Sequence, residues 1–173
     1  SYNSTISLPL SILECDEKAQ FCVLEMGASK KGEIEYLCNI ARPHFGLITN
    51  ISKAHLDGFS GFKDLVDTKM SIYDFINNQG GTYFLNKDDS NILLSDSSDC
   101  SVISFSMIDA KSDYYADISK INKGDICINN NLFKVPYITE IFASIFLSSY
   151  SIASTIGISK LDIDKALKDF CIP

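Results

Sequence analysis

Basic residues are scarce in this chain of 173 residues, in which 15 lysines and arginines stand against 22 aspartates and glutamates for a net charge of −7. Nucleic-acid binding requires clustered Lys and Arg side chains that neutralise phosphates, and the sequence contains no such stripe. The composition therefore argues against a nucleic-acid partner. The composition does not argue against a nucleotide ligand, because nucleotides are held by local groups and Mg²⁺ and do not depend on the overall charge of the protein.

Long apolar runs are also missing. The longest mainly apolar stretch, from Ile138 to Ile158, is interrupted by Thr139, Glu140 and several serines, which makes it too polar to span a bilayer. The first residues do not show a basic region followed by an apolar one, the pattern typical of a signal peptide. We therefore predict a cytoplasmic protein with no membrane span.

Cysteines are present, but none of them forms a C-x-x-C pair, which argues against a zinc site. We interpret them as small buried hydrophobic residues in a reducing cytoplasm. The six cysteines are Cys15, Cys22, Cys38, Cys100, Cys127 and Cys171.

The first half of the chain alternates predicted strands and helices. Continuous apolar runs predict buried strands at residues 21–26, 45–50 and 82–86, and apolar residues at helical spacing predict helices at 32–41 and 62–76. This order with short links is typical of right-handed βαβ units and a parallel sheet.

The second half changes character. Its pattern predicts short strands at 102–105, 116–122, 125–128 and 132–135, a hairpin turn at 129–131, and helices at 138–156 and 160–170. The predicted fold class is α/β: one domain with a mostly parallel sheet flanked by helices and a small antiparallel β appendage.

Polar residues follow the predicted strands of the first half. Glu25, Asn50 and Asn86 lie at three strand ends, His55 follows in the next loop, and Lys69 lies in the following helix. Ligands bind at the carboxyl ends of strands in open parallel sheets, and hard oxygen ligands with one imidazole suit Mg²⁺ or Mn²⁺ beside a phosphate. Each residue also has an ordinary structural interpretation: a partner for a helix N-terminus, a buried loop histidine or a solvated lysine.

Several stretches resemble the Mur ligase family. Residues 25–34 read EMGASKKGEI, similar to the family's EMGA…GEI, and residues 43–59 read PHFGLITNISKAHLDGF, similar to P…G.ITNI..AHLEGF. The opening SYN with LPL, the NKDD at 86–89 and the position of Lys69 add to the resemblance, which covers nearly the whole chain. The AHLEGF-like run points to the branch that adds D-Ala-D-Ala.

The resemblance implies the ATP-binding central domain of an ATP-dependent amide ligase of peptidoglycan precursor synthesis. Its substrates would be UDP-N-acetylmuramoyl-tripeptide, activated as an acyl phosphate, and D-Ala-D-Ala. The resemblance further implies that Glu25 and His55 bind Mg²⁺ and that a carbamylated Lys69 helps to hold a second metal ion. Asn50 would lie beside the phosphates and Asn86 would reach toward adenine. Lys69, His55 and Asn50 would thus be the catalytic residues.

Some features of the family are absent. No G-x-x-x-x-G-K-[ST] loop occurs, so the resemblance predicts that Ser1 follows that loop. Residues 1–173 would then be a central-domain fragment, inactive alone, without the P-loop strand and the N-terminal UDP-binding and C-terminal domains. Ser71 replaces a usual glutamate, and residues 134–144 lack the glycine and asparagines of G.YN..N..AA. Two alternatives stay open: another Mur-type ligase, such as a folylpolyglutamate synthase, which the flanking domains would decide, and a non-catalytic nucleotide-binding homologue, which Ser71 and the altered asparagine motif support.

Overall fold

The computed structural model describes residues 3–53, 56–94, 99–137 and 139–170. The helices are α1 (Ser7–Leu13), α2 (Glu33–Ala41), α3 (Phe62–Asn78), α4 (Glu140–Thr155) and α5 (Lys160–Asp169), and short 3-10 turns lie at Leu56–Gly58 and Ile121–Lys123. The strands are β1 (Phe45–Leu47), β2 (Thr82–Asn86), β3 (Ser101–Ser106), β4 (Tyr114–Asp117), β5 (Asp125–Ile128) and β6 (Asn131–Lys134). The chain divides into two compact units, Ser1–Tyr83 with Asn91–Ser101 and Phe84–Ser90 with Val102–Pro173.

The strands are ordered in the sheet as they are in the chain. β3 and β4 are parallel, whereas β4, β5 and β6 pair antiparallel. Asn129 and Asn130 form the β5–β6 turn with φ angles of 44° and 68°, the left-handed conformation that a two-residue hairpin requires and that asparagine tolerates. The predicted fold class, α/β with an antiparallel appendage, is confirmed.

Helices α2 and α3 provide much of the core of the first unit. Leu37 and Cys38 of α2 and Ile76 of α3 are completely buried, and burying a large apolar side chain contributes about 2 kcal/mol to stability. A Cβ atom at Gly46 of β1 would lie 2.8 Å from Cγ1 of Ile76. Glycine at this position therefore allows the strand to pack closely against α3.

Aromatic side chains form much of the core of the second unit. The ring of Phe133 lies edge-on to Phe146 and Tyr150, at centroid distances of 5.3 and 5.1 Å. The Thr139 side chain caps α4 by accepting a hydrogen bond from the amide of Phe142, and the Ser159 side chain caps α5 in the same way through Asp162. None of the helices in the described ranges has the length and apolarity needed to cross a bilayer.

The apolar segment 21–26 is not the central strand that its sequence predicts. No strand is assigned there, and Phe21 and Val23 are 51% and 95% exposed. Cys15 and Cys22 are also exposed, so the expectation that the cysteines are buried is wrong for these two. An apolar run indicates a tendency to be buried, but a strand also needs a neighbouring strand to pair with its backbone. Among the described strands, none pairs with this segment.

Two strands have bounds that differ from the prediction by more than one residue. The strand expected at 116–122 lies at Tyr114–Asp117, because the Asp117 side chain accepts a hydrogen bond from the amide of Ser119 at 2.8 Å and turns the chain. The strand expected at 45–50 covers only Phe45–Leu47.

Candidate functional site

Glu25 lies in an irregular segment next to the start of the described chain. Its Oε1 atom accepts a hydrogen bond from Nδ2 of Asn3 at 3.0 Å, and the amide of Gly27 donates to the Asn3 carbonyl at 2.8 Å. A Cβ atom at Gly27 would lie 3.1 Å from that carbonyl oxygen, so glycine makes the close approach possible. The contact joins the SYN and EMGA motifs and orients an exposed carboxylate.

Asn50 and Lys69 are also brought together. Lys69 is half-buried in α3, and its Nζ atom donates a hydrogen bond to the backbone carbonyl of Asn50 at 3.2 Å. Asn50 itself is exposed in the segment that follows β1. The helix thus directs the lysine toward the loop that contains the ITNI motif.

His55 lies outside the described residues, and its predicted proximity to Glu25 and Lys69 stays a prediction. Within the described ranges, no three His, Cys, Asp or Glu side chains are grouped so as to hold a metal ion. Mg²⁺ in nucleotide sites commonly uses one or two carboxylates together with phosphate oxygens and waters. An exposed carboxylate at Glu25 and an amide at Asn50 are donors of the type that Mg²⁺ accepts.

A cleft of about 410 Å³ in the first unit is lined in part by Asn3, the residue that contacts Glu25. The described residues of its lining are small or polar, without a large apolar side chain. The lining residues are Asn3, Ser4, Gly27, Ala28, Ser29, Glu33, Asp57 and Gly58. The cleft therefore brings together described residues that belong to the SYN, EMGA…GEI and AHLDGF stretches.

Gly58 and Glu33 shape two walls of this cleft. A Cβ atom at Gly58 would lie 1.7 Å from the carbonyl oxygen of Ser29, which only glycine permits. The buried Glu33 carboxylate accepts hydrogen bonds from the amide and the hydroxyl of Ser29, both at 2.8 Å. These hydrogen bonds lower the pKa of Glu33 against the opposing effect of burial. Glu33 therefore fixes the loop that Gly58 approaches.

Asn86 belongs to the second unit, where it ends β2. It is 6% exposed, and its Oδ1 atom accepts a hydrogen bond from the amide of Asp88 at 3.0 Å. Asp88 in turn accepts hydrogen bonds from the Ser106 hydroxyl and, at 2.7 Å, from the amide of Met107. The NKDD motif thus organises the turn after β2 and the end of β3.

Reasoning from strand ends did not single out Asn3, Ser29, Glu33, Asp57 or Gly58. All five residues lie inside the stretches that resemble the family motifs. The signal that could have identified them was therefore the continuity of the motifs, which extends beyond the residues suited to metal binding.

The fold and the cleft first define a class: an α/β domain with a mixed sheet, flanking helices and a cleft lined by loop residues. The sequence then defines the family. The sequence model of the Mur ligase middle domain matches residues 1–157, so the chain belongs to the Mur ligase family. The predicted family is confirmed.

Two relatives with assigned activities match parts of this chain. The UDP-N-acetylmuramoyl-tripeptide–D-alanyl-D-alanine ligase of Haemophilus influenzae is 40% identical over 73 residues, covering 42% of this chain and 16% of the relative. The ligase of the same name from Bacillus subtilis is 35% identical over 80 residues, covering 46% of this chain and 18% of the relative. These matches span less than a fifth of the length of either relative.

Solved structures share the fold. A MurF crystal structure from Acinetobacter baumannii superposes with a TM-score of 0.82 at 24% identity, covering 100% of this chain and 39% of that one. The MurF ligase of Thermotoga maritima, in complex with ADP, gives a TM-score of 0.75 at 25% identity, covering 92% of this chain and 38% of that one.

Proposed function

We propose that the chain is the ATP-binding central domain of a cytoplasmic ligase that adds D-Ala-D-Ala to UDP-N-acetylmuramoyl-tripeptide in peptidoglycan precursor synthesis. The observation that carries this proposal is that two relatives, 40% and 35% identical over their matched stretches, both bear the name of this ligase. Activity would belong to the complete protein that contains residues 1–173. The G-x-x-x-x-G-K-[ST] loop and the domains for the UDP-linked substrate and for the incoming amine are expected in the rest of that protein.

Glu25 is proposed to hold Mg²⁺ beside the phosphates of ATP, together with His55. When bound, Mg²⁺ and ATP supply the phosphoryl group and neutralise the charge that develops during its transfer. The contribution of this chain is to orient the Glu25 carboxylate. The Asn3 amide holds one Glu25 oxygen at 3.0 Å, which restricts the carboxylate before the ligand arrives and so reduces the entropy lost on binding.

Lys69 is proposed to become a carbamate in the complete protein. The unprotonated Nζ amine would add to the carbon of CO₂, forming an N–C bond and releasing one proton to solvent. The product is an anion with two oxygens, suited to a hard cation. Because Nζ already lies beside Asn50, the new oxygens would extend toward the segment after β1, where the phosphates are expected. An unmodified Lys69 would instead contact a phosphate directly.

Asn86 is proposed to recognise adenine through its side-chain amide. Its burial and its hydrogen bond to the amide of Asp88 hold the side chain in one orientation. A fixed amide discriminates between bases because a mismatched partner leaves buried polar atoms unpaired.

The test measures phosphate release by the complete protein, with Mg²⁺, ATP, the UDP-linked tripeptide and D-Ala-D-Ala. Release that requires both substrates is expected, and its absence would contradict the ligase proposal. His55→Ala is expected to lower the rate about 100-fold or more, because transition-state charge loses a stabilising group. The matched control is His44→Ala, since His44 is the other histidine of the chain and is exposed. Full activity in His55→Ala would assign His55 a structural role.

A non-catalytic nucleotide-binding homologue is the second candidate, and Ser71 favours it. Because Ser71 replaces the usual glutamate, this position offers no carboxylate. The Ser71 hydroxyl instead donates a hydrogen bond to the Thr68 carbonyl within α3 at 2.6 Å. This candidate predicts calorimetric binding of ATP or ADP without substrate-dependent phosphate release. Another Mur-type ligase would instead release phosphate with a different amine, which a panel of amino acids and glutamate-extended acceptors would reveal.

A further inference from the structure

Two cysteines that lie outside the cleft face each other on the surface of the first unit. The Sγ atoms of Cys15 and Cys22 are 2.9 Å apart, and both residues are exposed. The arrangement follows from the turn between them. The amide of Ala19 donates to the Asp16 carbonyl, and the amide of Lys18 donates to Oδ1 of Asp16, both at 2.8 Å. This turn reverses the chain after α1 and returns Cys22 to Cys15.

We propose that Cys15 and Cys22 form a reversible disulfide, which makes this turn a site of thiol oxidation. A disulfide bond is about 2.05 Å long, so the two sulfur atoms need to move together by less than about 1 Å. The surrounding loop is exposed over residues 13–23, which leaves room for that movement and for an oxidant. Cys38 and Cys100 are buried and are therefore shielded from dissolved oxidants.

The co-reactant is a small disulfide of the oxidised glutathione type. One cysteine thiolate attacks a glutathione sulfur, forming a mixed disulfide and releasing the first glutathione thiolate. The second cysteine thiolate then attacks the protein sulfur of the mixed disulfide and releases the second. The protein loses two electrons, oxidised glutathione gains them, and the two thiol protons end on the two glutathione products.

The electrostatics of the pair give a pH dependence. The pKa of the Cys22 thiol is raised, first by its hydrogen bond with Cys15, then by a slight desolvation and by the charge of a Cys15 thiolate. Because the thiolate is the reactive form, disulfide formation should become faster as the pH rises. The charged residues adjacent to the pair in the chain are Glu14, Asp16, Glu17 and Lys18, all of them exposed.

The location gives the disulfide a structural consequence. Cys15 follows the C-terminal end of α1, and Cys22 lies three residues before Glu25, whose carboxylate contacts Asn3, a residue that precedes α1 in the chain. The bond would tether the end of α1 to the segment that carries Glu25. The inference itself does not depend on the proposed ligase activity.

The sequence allows a direct test by mass spectrometry. The purified chain is equilibrated with reduced and oxidised glutathione, free thiols are blocked by alkylation, and the protein is digested with trypsin without reduction. Lys18 lies between the two cysteines, so cleavage yields peptides 1–18 and 19–30. The disulfide appears as a linked pair of these peptides, lighter by two hydrogens than their sum. We expect the linked pair to exceed the mixed disulfides about tenfold or more, because the second thiol is held in place, and to disappear on reduction.

Three variants complete the experiment. Cys15→Ser and Cys22→Ser should lose the linked pair and carry glutathione on the remaining cysteine, whereas Cys127→Ser, at a half-buried position, should form the linked pair as the unmodified chain does. A predominance of glutathione adducts on Cys15 and Cys22 in the unmodified chain would overturn the proposal. Linked peptides found only in covalent dimers on a non-reducing gel would overturn it as well.

Discussion

The Nζ atom of Lys69 lies 3.2 Å from the backbone carbonyl oxygen of Asn50, which connects the middle of α3 to the segment that follows β1. Thr68 and Tyr73 on the same helix are buried, and Lys69 is half-buried beside them. An ammonium group at such a position requires an acceptor or a route to water, and the Asn50 carbonyl supplies the acceptor. The helix therefore presents a lysine to the loop where the phosphates are expected.

We predict that Lys69→Ala in the complete protein lowers ligase activity about 100-fold or more, since a metal-binding group is lost. Short carboxylic acids should restore part of the rate if the missing group is a carbamate. Lys63→Ala is the matched control, because Lys63 is exposed on the same helix, and its activity should be unchanged. Undiminished activity of Lys69→Ala without added acid would end the carbamate proposal.

Gly58 gives a prediction about the wall of the cleft. An added Cβ would lie 1.7 Å from the Ser29 carbonyl oxygen, so Gly58→Ala should force the two loops apart and lower the free energy of unfolding by about 1–3 kcal/mol. Gly61→Ala is the control, since nothing lies within 4 Å of its added Cβ and its φ of 164° is extended. Urea denaturation of the chain measures both. Equal midpoints for the two variants would show that the loops do not meet as described.

The local patterns of the sequence predicted several elements well, whereas contacts between distant segments were not predictable from them. β2 and β5 have the predicted bounds, and α2 and α3 start within a residue of prediction, because each is determined by its own periodicity and end residues. Segment 21–26 is different, because a strand depends on partners elsewhere in the chain. The proximity of Gly58 to Ser29 likewise arises from tertiary packing. Glu25, Asn50 and Lys69 could be singled out in the sequence because their side chains are of types suited to metal or phosphate binding, whereas Asn3 and Glu33 make contacts that orient neighbouring groups.

The cap of α4 provides a prediction about stability in the second unit. The Thr139 hydroxyl accepts a hydrogen bond from the Phe142 amide at 3.1 Å, and Thr139→Ala should lower the free energy of unfolding by about 1 kcal/mol. Ser149→Ala is the control, because Ser149 is exposed inside the same helix, where alanine is the better helix former. Thermal unfolding followed by circular dichroism compares them. A Thr139→Ala midpoint equal to that of Ser149→Ala would contradict the capping role.

Glu33, which lines the cleft, makes the stability of the chain depend on pH. Its carboxylate accepts hydrogen bonds from the amide and the hydroxyl of Ser29, and the amide and the charge of Lys30 also stabilise the ionised form. The pKa of Glu33 therefore lies below the ordinary value of 4.5, although burial opposes this shift. A carboxyl group with a lower pKa in the folded state binds its proton more weakly there than in the unfolded chain. Its stabilising contribution is therefore complete above pH 4.5 and is lost as the pH falls through the lower, folded-state pKa.

We predict that Glu33→Gln lowers the free energy of unfolding by about 1–2 kcal/mol at pH 7, because a charged acceptor is replaced by a neutral one. The difference between the two proteins should shrink as the pH falls below 4.5, since protonation then removes the same charge from the original side chain. Glu35→Gln is the matched control, because Glu35 is an exposed glutamate of the same helix, α2. This substitution should change the free energy of unfolding little at any pH. Urea titrations between neutral and acidic pH measure all three proteins. A Glu33→Gln difference that stays constant across this range would show that Glu33 stabilises the Ser29 loop by its shape and not by its charge.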